Sequence, residues 1–139
     1  MERAEPQPDQ ALTQLLAVIP FAVTLGLELV SATADEVVGR LRWREDLCTT
    51  GGALNGGALM SLADNMGGMC AFLNLPAGAG TATISSSTNF LRGVRDGFVT
   101  GTSRPLRVGK TVIVVATELR DDDGRLVAHT TQAQAVIGP

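Results

Sequence analysis

Two glycines and one carboxylate near the middle of the chain have the spacing of a site for chemistry on a carbonyl group. Gly56 and Gly57 precede an apolar segment with helical periodicity, and Asp64 follows about two helical turns later. Glycine lets the backbone approach a ligand closely, and free N–H groups at a helix N-terminus can hold a developing oxyanion. A carboxylate beside a carbonyl polarised in this way can act as a nucleophile or as a general base toward water. The alternative is a polar stripe of Ser61, Asp64 and Asn65 that faces solvent.

The chain has one histidine and two cysteines, and their positions favour structural roles. His129 alternates within a predicted strand and has no acidic residue near it in sequence, which favours a packed or surface position over a catalytic one. Cys70 lies on the apolar face of a predicted helix, where a buried structural thiol is expected. Cys48 lies in a glycine-rich loop, and a reactive role there is the alternative. These three residues give no multi-histidine metal site, no zinc-finger spacing and no disulfide framework.

Length and composition indicate one ordinary globular domain. The chain has 139 residues, of which 45% are hydrophobic and 18% are charged, and this balance argues against disorder. A net charge of -3 and a pI of about 5.0 argue against nucleic acid as a partner. No apolar run reaches the roughly 18 residues of a membrane-spanning helix. The acidic, proline-bearing N-terminus does not resemble a signal peptide, so we predict a flexible tail over residues 1–10 and a single domain over residues 11–139 of a cytoplasmic protein.

The elements that must position the carboxylate can be placed from periodicity and turn residues. Residues 11–18 have helical spacing, and we expect this helix to stop before Pro20. Residues 25–43 alternate around a turn at Ala34 and Asp35, which predicts a β-hairpin. A glycine-rich loop follows over residues 47–57, and a helix is predicted over residues 58–75. Asp64 is the only charged residue in that helix, so we expect other structure to wrap around it.

The last third of the chain has the pattern of β-strands. Their connections are short, and the Asp-Asp-Gly ending at Gly124 is a good hairpin turn, which predicts antiparallel meander pairing. The four strand candidates are residues 81–91, 97–108, 110–120 and 125–137. Together these elements predict an α+β domain in which a curved antiparallel sheet wraps around one long central helix.

Three segments of the chain resemble one family. The segment NGGALMSLAD, which ends at Asp64, resembles the HGGxxxxLAD segment of hotdog-fold acyl-CoA thioesterases, in the PaaI and 4-hydroxybenzoyl-CoA thioesterase-like group. STNFLRGVRDG is similar to that family's strand and turn ending in FLRPxxxG, and RVGKTVIVVATELRDDDGRLVAHTTQAQAVI is similar to its last two strands. The resemblance covers about residues 21–137 and implies a hotdog fold.

The resemblance also implies roles for individual residues. Asp64 matches the family's catalytic carboxylate. Gly56 matches the glycine whose backbone N–H polarises the thioester carbonyl, and Gly57 continues that helix start. Thr83 aligns roughly with a strand serine or threonine that helps to position water, and Asn55 stands at the position of the motif histidine.

Substrate contacts, cofactors and partners follow from the same resemblance. In this family a basic turn between two strands and the strand before it contact the nucleotide end of coenzyme A; solvated turn residues are the alternative. Members need no metal, and no separate cofactor is expected because coenzyme A is part of the substrate. They form dimers with active sites at the subunit interface, commonly paired into tetramers, so we expect a homodimer and a homotetramer. The candidate nucleotide contacts are Arg92, Arg107, Val108, Gly109 and Lys110.

This chain departs from the family's pattern at three positions. Asn55 replaces the motif histidine, and its amide can still form hydrogen bonds but cannot titrate near neutral pH. Thr49 stands where many members have asparagine or glutamine. Gly68 stands where some relatives carry a water-positioning threonine. These departures concern the rate and the substrate rather than the fold.

Three functions are therefore in competition. The first is hydrolysis of an acyl-CoA thioester, in which Asp64 acts on water or attacks directly and Gly56, with Gly57, holds the oxyanion. The second is a hotdog module that binds acyl-CoA with slow or no turnover, as the replacement at Asn55 suggests. The third is a hotdog dehydratase or hydratase, which needs a histidine near the central helix. The sequence leaves the acyl group open between aliphatic and phenylacetyl-type chains.

Overall fold

The computed structural model describes residues 10–138. It confirms the predicted helices, hairpin and strands and adds one short helix. Of the predicted tail, residues 1–9 lie outside the described range, and Gln10 opens the first helix. The elements are α1 Gln10–Ala17, α2 Pro20–Leu25, β1 Glu28–Ala32, β2 Val37–Arg42, a 3₁₀ turn Glu45–Leu47, α3 Gly56–Phe72, β3 Gly80–Phe90, β4 Phe98–Val108, β5 Val112–Arg120 and β6 Leu126–Ile137.

The short helix α2 begins at the proline that was expected only to end α1. Pro20 occupies the first turn, where its missing N–H is not needed and its fixed φ suits a helix. Gly26 ends the helix in the left-handed region at φ 84, and its N–H is bonded to the carbonyls of Ala22 and Val23. The chain then enters the predicted hairpin, whose turn is closed by the Thr33 N–H on the Glu36 carbonyl at 2.9 Å.

The central helix α3 starts two residues earlier than predicted and ends three residues earlier. Asn55 is the reason for the early start, because its side-chain Oδ1 accepts the Gly57 N–H at 2.7 Å and caps the helix. The helix lies against β2, β3, β4, β5 and β6. Met66 packs tightly on the sheet, where a Cβ added at Gly101 would lie 2.6 Å from its Sδ atom. The structure thus confirms that the sheet wraps around one central helix, the α+β arrangement of the hotdog fold.

The sheet has the strand order β1-β2-β4-β5-β6-β3, and every neighbouring pair is antiparallel. The meander prediction is correct for β4, β5 and β6 but wrong for β3, which pairs with β6 instead of β4. Both sides of β4 are occupied by β2 and β5, so β6 offers β3 its position in the sheet. The connection over residues 91–97 reaches across because seven residues span up to roughly 24 Å, while three strand spacings need about 14 Å.

This topology leaves β3 as an edge strand beside the central helix. Its residues are mostly exposed in the single chain. An unpaired edge of this length is a surface that natural proteins normally cover or pair.

Candidate active site

The structure brings Asp64 and Thr83 together. Asp64 lies on the side of α3 that faces β3, next to the buried Ala63, and its side chain is exposed in the single chain. Its Oδ1 atom lies 3.1 Å from the Thr83 Oγ1 atom on β3 and 3.3 Å from the Gln132 Nε2 atom on β6. One carboxylate oxygen thus lies within hydrogen-bond distance of groups on two strands, while Oδ2 has no hydrogen bond to any residue within 10–138.

Two glutamines that the sequence analysis did not single out complete this arrangement. Gln132 and Gln134 are 1% and 2% exposed, and both point from β6 toward α3. The Gln134 Oε1 atom accepts from Thr83 Oγ1 at 2.6 Å and from Gln132 Nε2 at 3.1 Å. The Gln134 amide donates in turn to the Thr81 hydroxyl at 3.2 Å. We use the name polar clamp for the five residues of this hydrogen-bonded group: Asp64, Thr81, Thr83, Gln132 and Gln134.

Gly67 makes room for the clamp beneath the helix. A Cβ at this position would lie 2.1 Å from Gln132 Oε1 and 2.4 Å from its amide carbon. Gln132 Oε1 is also buried without a hydrogen-bond partner among the described residues. A polar atom left in this way costs about 1–3 kcal/mol. The amide of Gln132 is therefore held by the clamp on one side and by the helix backbone on the other.

An apolar pocket of about 310 Å³ opens beside the clamp. Its apolar walls come from the end of α1, the link between α1 and α2, and the second half of α3, and Asp64, Thr83 and Gln134 form its polar side. A Cβ at Gly68, which also borders the pocket, would meet no atom within 4 Å. The apolar residues that line it are Leu15, Val18, Ile19, Met69 and Phe72.

The predicted oxyanion site lies at the other end of α3. The Gly56 N–H has no partner within the part of the chain that the structure describes, and Gly56 lies beside the Phe90 ring. The Gly57 N–H is already bonded to Asn55, and the Ala58 N–H is bonded to the Asn55 carbonyl at 2.9 Å. Asn55 therefore acts as a helix cap, and Gly56 is the N–H of this pair that is available to a ligand.

One chain does not bring the carboxylate and the oxyanion donor together. Asp64 follows Gly56 by eight helical residues, which is about 12 Å along the axis. Asp64 borders the apolar pocket, whereas Gly56 borders a separate depression with Phe90 and Arg92. A single thioester carbonyl cannot contact both within one chain.

The candidate nucleotide contacts also lie apart in one chain. Arg92 follows β3 at the end of the sheet where β6 begins, whereas Arg107 and Lys110 lie toward the opposite end, Arg107 level with residue 133 of β6 and Lys110 beyond residue 135. At least six residues of strand separate them from Arg92, or about 20 Å. These three cationic groups have no side-chain partner within residues 10–138. Val108 is half exposed, beside the Gly109 turn.

Gly109, Arg95 and Arg104 have structural roles in the single chain. A Cβ at Gly109 would lie 2.7 Å from the Val112 carbonyl, whose oxygen accepts the Gly109 N–H at 2.9 Å, so the tight turn needs glycine. Arg104 forms an ion pair with Glu36 at 2.6 Å, and the Arg95 guanidinium donates to the Gly51 carbonyl.

The remaining sulfur and imidazole groups do not join the site. His129 alternates with Thr130, whose hydroxyl faces the helix side of the sheet, so it points away from α3 and lies across from Glu118. Cys70 is buried, as expected, and its burial raises the pKa of the thiol from 9.0 to about 11. The Cys48 Sγ atom lies 3.4 Å from the Arg44 carbonyl. Within the described residues we find no acidic, cysteine and histidine cluster fit for a metal, and no helix long and apolar enough to cross a membrane.

Comparisons with known proteins agree on one family. A family model described as the thioesterase superfamily matches residues 51–128, more than half of the chain. The protein named "Putative esterase SSO2140" of Saccharolobus solfataricus is 34% identical over 104 residues, which cover 75% of this chain and 74% of that protein. The solved structure of a mutant thioesterase of Pseudomonas aeruginosa has a TM-score of 0.86 and 26% identity, covering 96% of both chains. A phenylacetic acid degradation-related protein of Ralstonia eutropha has a TM-score of 0.82 and 27% identity, covering 90% of this chain and 98% of that one.

Proposed function

Because the chain belongs to the thioesterase superfamily, we propose that it hydrolyses acyl-CoA thioesters with Asp64 as the catalytic carboxylate. One observation carries the proposal: the Asp64 carboxylate lies at the edge of an apolar pocket, where its Oδ1 accepts from Gln132 and lies 3.1 Å from the Thr83 hydroxyl oxygen. The pocket takes the acyl group, and the free Oδ2 faces the thioester carbonyl or the water that attacks it.

The general-base route runs as follows. Asp64 Oδ2 removes a proton from water while the water oxygen bonds to the carbonyl carbon, and the carbonyl oxygen becomes an oxyanion held by a Gly56 N–H. The intermediate then collapses, the C–S bond breaks, and the thiolate of coenzyme A takes the proton from Asp64. In the nucleophilic route Oδ2 attacks the carbonyl carbon itself, and the C–S bond breaks to release the thiolate of coenzyme A. Water then hydrolyses the resulting mixed anhydride, which frees the acid and restores Asp64, and the thiolate takes up the proton that the water loses.

The site becomes complete when two copies pair through β3. Asp64 contacts β3 at Thr83, and Gly56 contacts it at Phe90. We consider two β3 strands that pair antiparallel about a two-fold axis between Ser85 and Ser86. Phe90 of one copy then lies opposite residue 81 of the other copy, which is two residues along the strand from Thr83. That difference is roughly 7 Å along the strand. We therefore propose a homodimer in which Asp64 of one protomer and Gly56 of its partner act on one carbonyl.

The same pairing gathers the cationic residues. It brings the end of the sheet with Arg92 in one protomer to the end with Arg107 and Lys110 in its partner. We propose that these residues, with Val108 and Gly109, contact the phosphates of coenzyme A, which arginine and lysine bind as charged donors. Pairing of two such dimers into a tetramer, and a cytoplasmic location, stay predictions.

The test is release of free thiol from a panel of short aliphatic, long aliphatic and aryl acyl-CoAs. Asp64→Ala and Asp64→Asn should each lower turnover by at least about a thousandfold while the chain remains folded. Asp35→Asn, an exposed carboxylate in the β1–β2 turn, is the matched control and should keep the wild-type rate. Wild-type rates in both Asp64 variants would refute the assignment.

A binding module is the second candidate, and Asn55 motivates it. Its side chain caps α3 through Gly57, where relatives place a histidine. Tight acyl-CoA binding by calorimetry without thiol release over hours would support this function, and release within seconds would exclude it. In the first case Asn55→His is the variant that should gain turnover.

A further inference from the structure

We propose that Gln132 and Gln134 are positioning residues that act on the Asp64 carboxylate in opposite directions, Gln132 by donating to it directly and Gln134 by drawing away the hydrogen of the Thr83 hydroxyl. This inference rests on the proposed function of Asp64 as the reacting carboxylate. Its basis is the number of hydrogens that Gln132, Gln134 and Thr83 can donate within the polar clamp.

The orientation of both amides is set by the carboxylate. An ionised carboxylate only accepts hydrogen bonds, so the Gln132 group that faces it at 3.3 Å is the NH₂. The second hydrogen of that NH₂ goes to Gln134 Oε1 at 3.1 Å, which turns the Gln134 NH₂ toward Thr81. Gln132 therefore stabilises the Asp64 anion directly, and Gln134 presents only an acceptor to Thr83.

The Thr83 hydroxyl has one hydrogen and two acceptors. It lies 2.6 Å from Gln134 Oε1 and 3.1 Å from Asp64 Oδ1, and it can donate to only one of them. When it donates to Gln134, as the shorter distance favours, Asp64 keeps the Gln132 N–H alone. When it donates to Asp64, the anion gains a second donor. Gln134 thus competes with Asp64 for the Thr83 hydrogen and keeps the carboxylate basic.

The two glutamines therefore have opposite effects. Loss of Gln132 removes a donor from the anion, which makes Asp64 easier to protonate. Loss of the Gln134 acceptor leaves Thr83 with Asp64 as its remaining acceptor, which stabilises the anion and weakens the base. Ionisable side chains do not compete with this effect within the described residues. The helix α1 and the strand β3 carry none, and α3 carries, besides Asp64, only Cys70, whose burial raises the pKa of its thiol to about 11. His129 of β6 faces the other side of the sheet.

The experiment is the pH dependence of kcat for Gln132→Met and Gln134→Met, with the acyl-CoA that wild type turns over fastest. The acid limb of the kcat–pH profile, where activity falls as the pH is lowered, should move to higher pH in Gln132→Met and to lower pH in Gln134→Met. Each shift should be about one pH unit, which corresponds to the free energy of one hydrogen bond to a charged group. A merely structural role would lower kcat in both variants without moving the limb. Limbs that stay in place, or that move in the same direction, would overturn the inference.

The Thr83 hydroxyl supplies an internal check. Thr83→Ser should keep the wild-type limb, and Thr83→Val should also leave it in place, because the wild-type hydroxyl donates to Gln134 and not to Asp64. Gln134→Met should cause no movement in the Thr83→Val background, because its effect passes through that hydroxyl; a shift that persists there would overturn the inference. If the glutamine variants do not fold, Thr83→Val carries the test, since a limb that moves to higher pH would show that the hydroxyl donates to Asp64 in the wild type and would overturn the role of Gln134. An Asp64→Ala variant that keeps activity refutes the proposed function instead, so the two failures are distinguishable.

Discussion

Substitution of two neighbouring glycines of α3 by alanine should change stability in opposite directions. Gly67 and Gly68 lie in the same helix turn, so alanine gains about 0.8–1.0 kcal/mol of helix propensity at either position. At Gly68 the new methyl group meets no atom within 4 Å, and the gain should persist. At Gly67 it would lie 2.1 Å from Gln132 Oε1, 2.4 Å from the amide carbon and 2.9 Å from Nε2.

The end of a glutamine side chain normally moves aside at little cost, but here movement is restricted. Gln132 is 1% exposed, and its Nε2 holds both Asp64 and Gln134. Overpacking of this kind costs about 1–3 kcal/mol, and displacement of the amide also removes its hydrogen bonds, each about 0.5–1.5 kcal/mol or more. Gly67→Ala should therefore be destabilised by about 1–5 kcal/mol after its propensity gain, whereas Gly68→Ala should be stabilised by up to about 1 kcal/mol.

Urea unfolding at one protein concentration measures both changes. A fixed concentration matters because a dimer links stability to association. The Gly67→Ala penalty should shrink in a Gln132→Ala background, where the atoms that clash are absent. Equal stabilisation by both alanines would refute the claim that Gln132 is fixed beneath the helix.

Three further changes have expected outcomes. Val18→Trp should fill the apolar pocket and shift the preference in kcat/KM toward shorter acyl chains across the aliphatic panel, and an unchanged preference would place the acyl group elsewhere. Arg107→Ala should raise KM for acyl-CoA roughly tenfold, the size of one charge-assisted contact. It should leave KM unchanged for the matching acyl-N-acetylcysteamine, a thioester that lacks the nucleotide. Arg104→Ala is the control, because the Arg104 side chain is already paired with Glu36. Because burial raises the pKa of the Cys70 thiol from 9.0 to about 11, the unfolded chain loses this proton first as the pH rises, so stability should fall between about pH 9 and 11. Cys70→Ala should lack that part of the pH dependence in urea unfolding, and an identical slope would contradict it.

Local patterns were enough to predict most of the elements. Charge-poor helical periodicity around Asp64 placed α3, and the Ala34-Asp35 turn placed the first hairpin. Pro20 was interpreted only as a stop, although the same missing N–H that ends one helix suits the first turn of the next. The position of β3 was not predictable from connection length, because a seven-residue connection can reach either a neighbouring strand or the far edge of the sheet.

Some residues of the candidate site were likewise predictable from the sequence, and others were not. Asp64 and Gly56 lie on one helix, so their spacing along it followed from the sequence, and Thr83 came from the family resemblance. The glutamines were missed because the alternation in β6 is inverted. Thr130, Gln132 and Gln134 form the polar set of that strand, and a polar set normally faces solvent while the alternating alanines face the core. Here the polar set faces α3.

This inversion makes sense when stability and chemistry are weighed together. Packing alone would place apolar side chains beneath α3, because an orphaned Gln132 Oε1 costs about 1–3 kcal/mol. The chain instead places two amides there, and Gly67, at a helix-interior cost of up to about 1 kcal/mol relative to alanine, makes space for them. Both costs fall on residues that hold one oxygen of Asp64 and the hydroxyl of Thr83. Local sequence rules fail at this point because these residues satisfy the hydrogen-bonding needs of the carboxylate that we propose to react before those of the core.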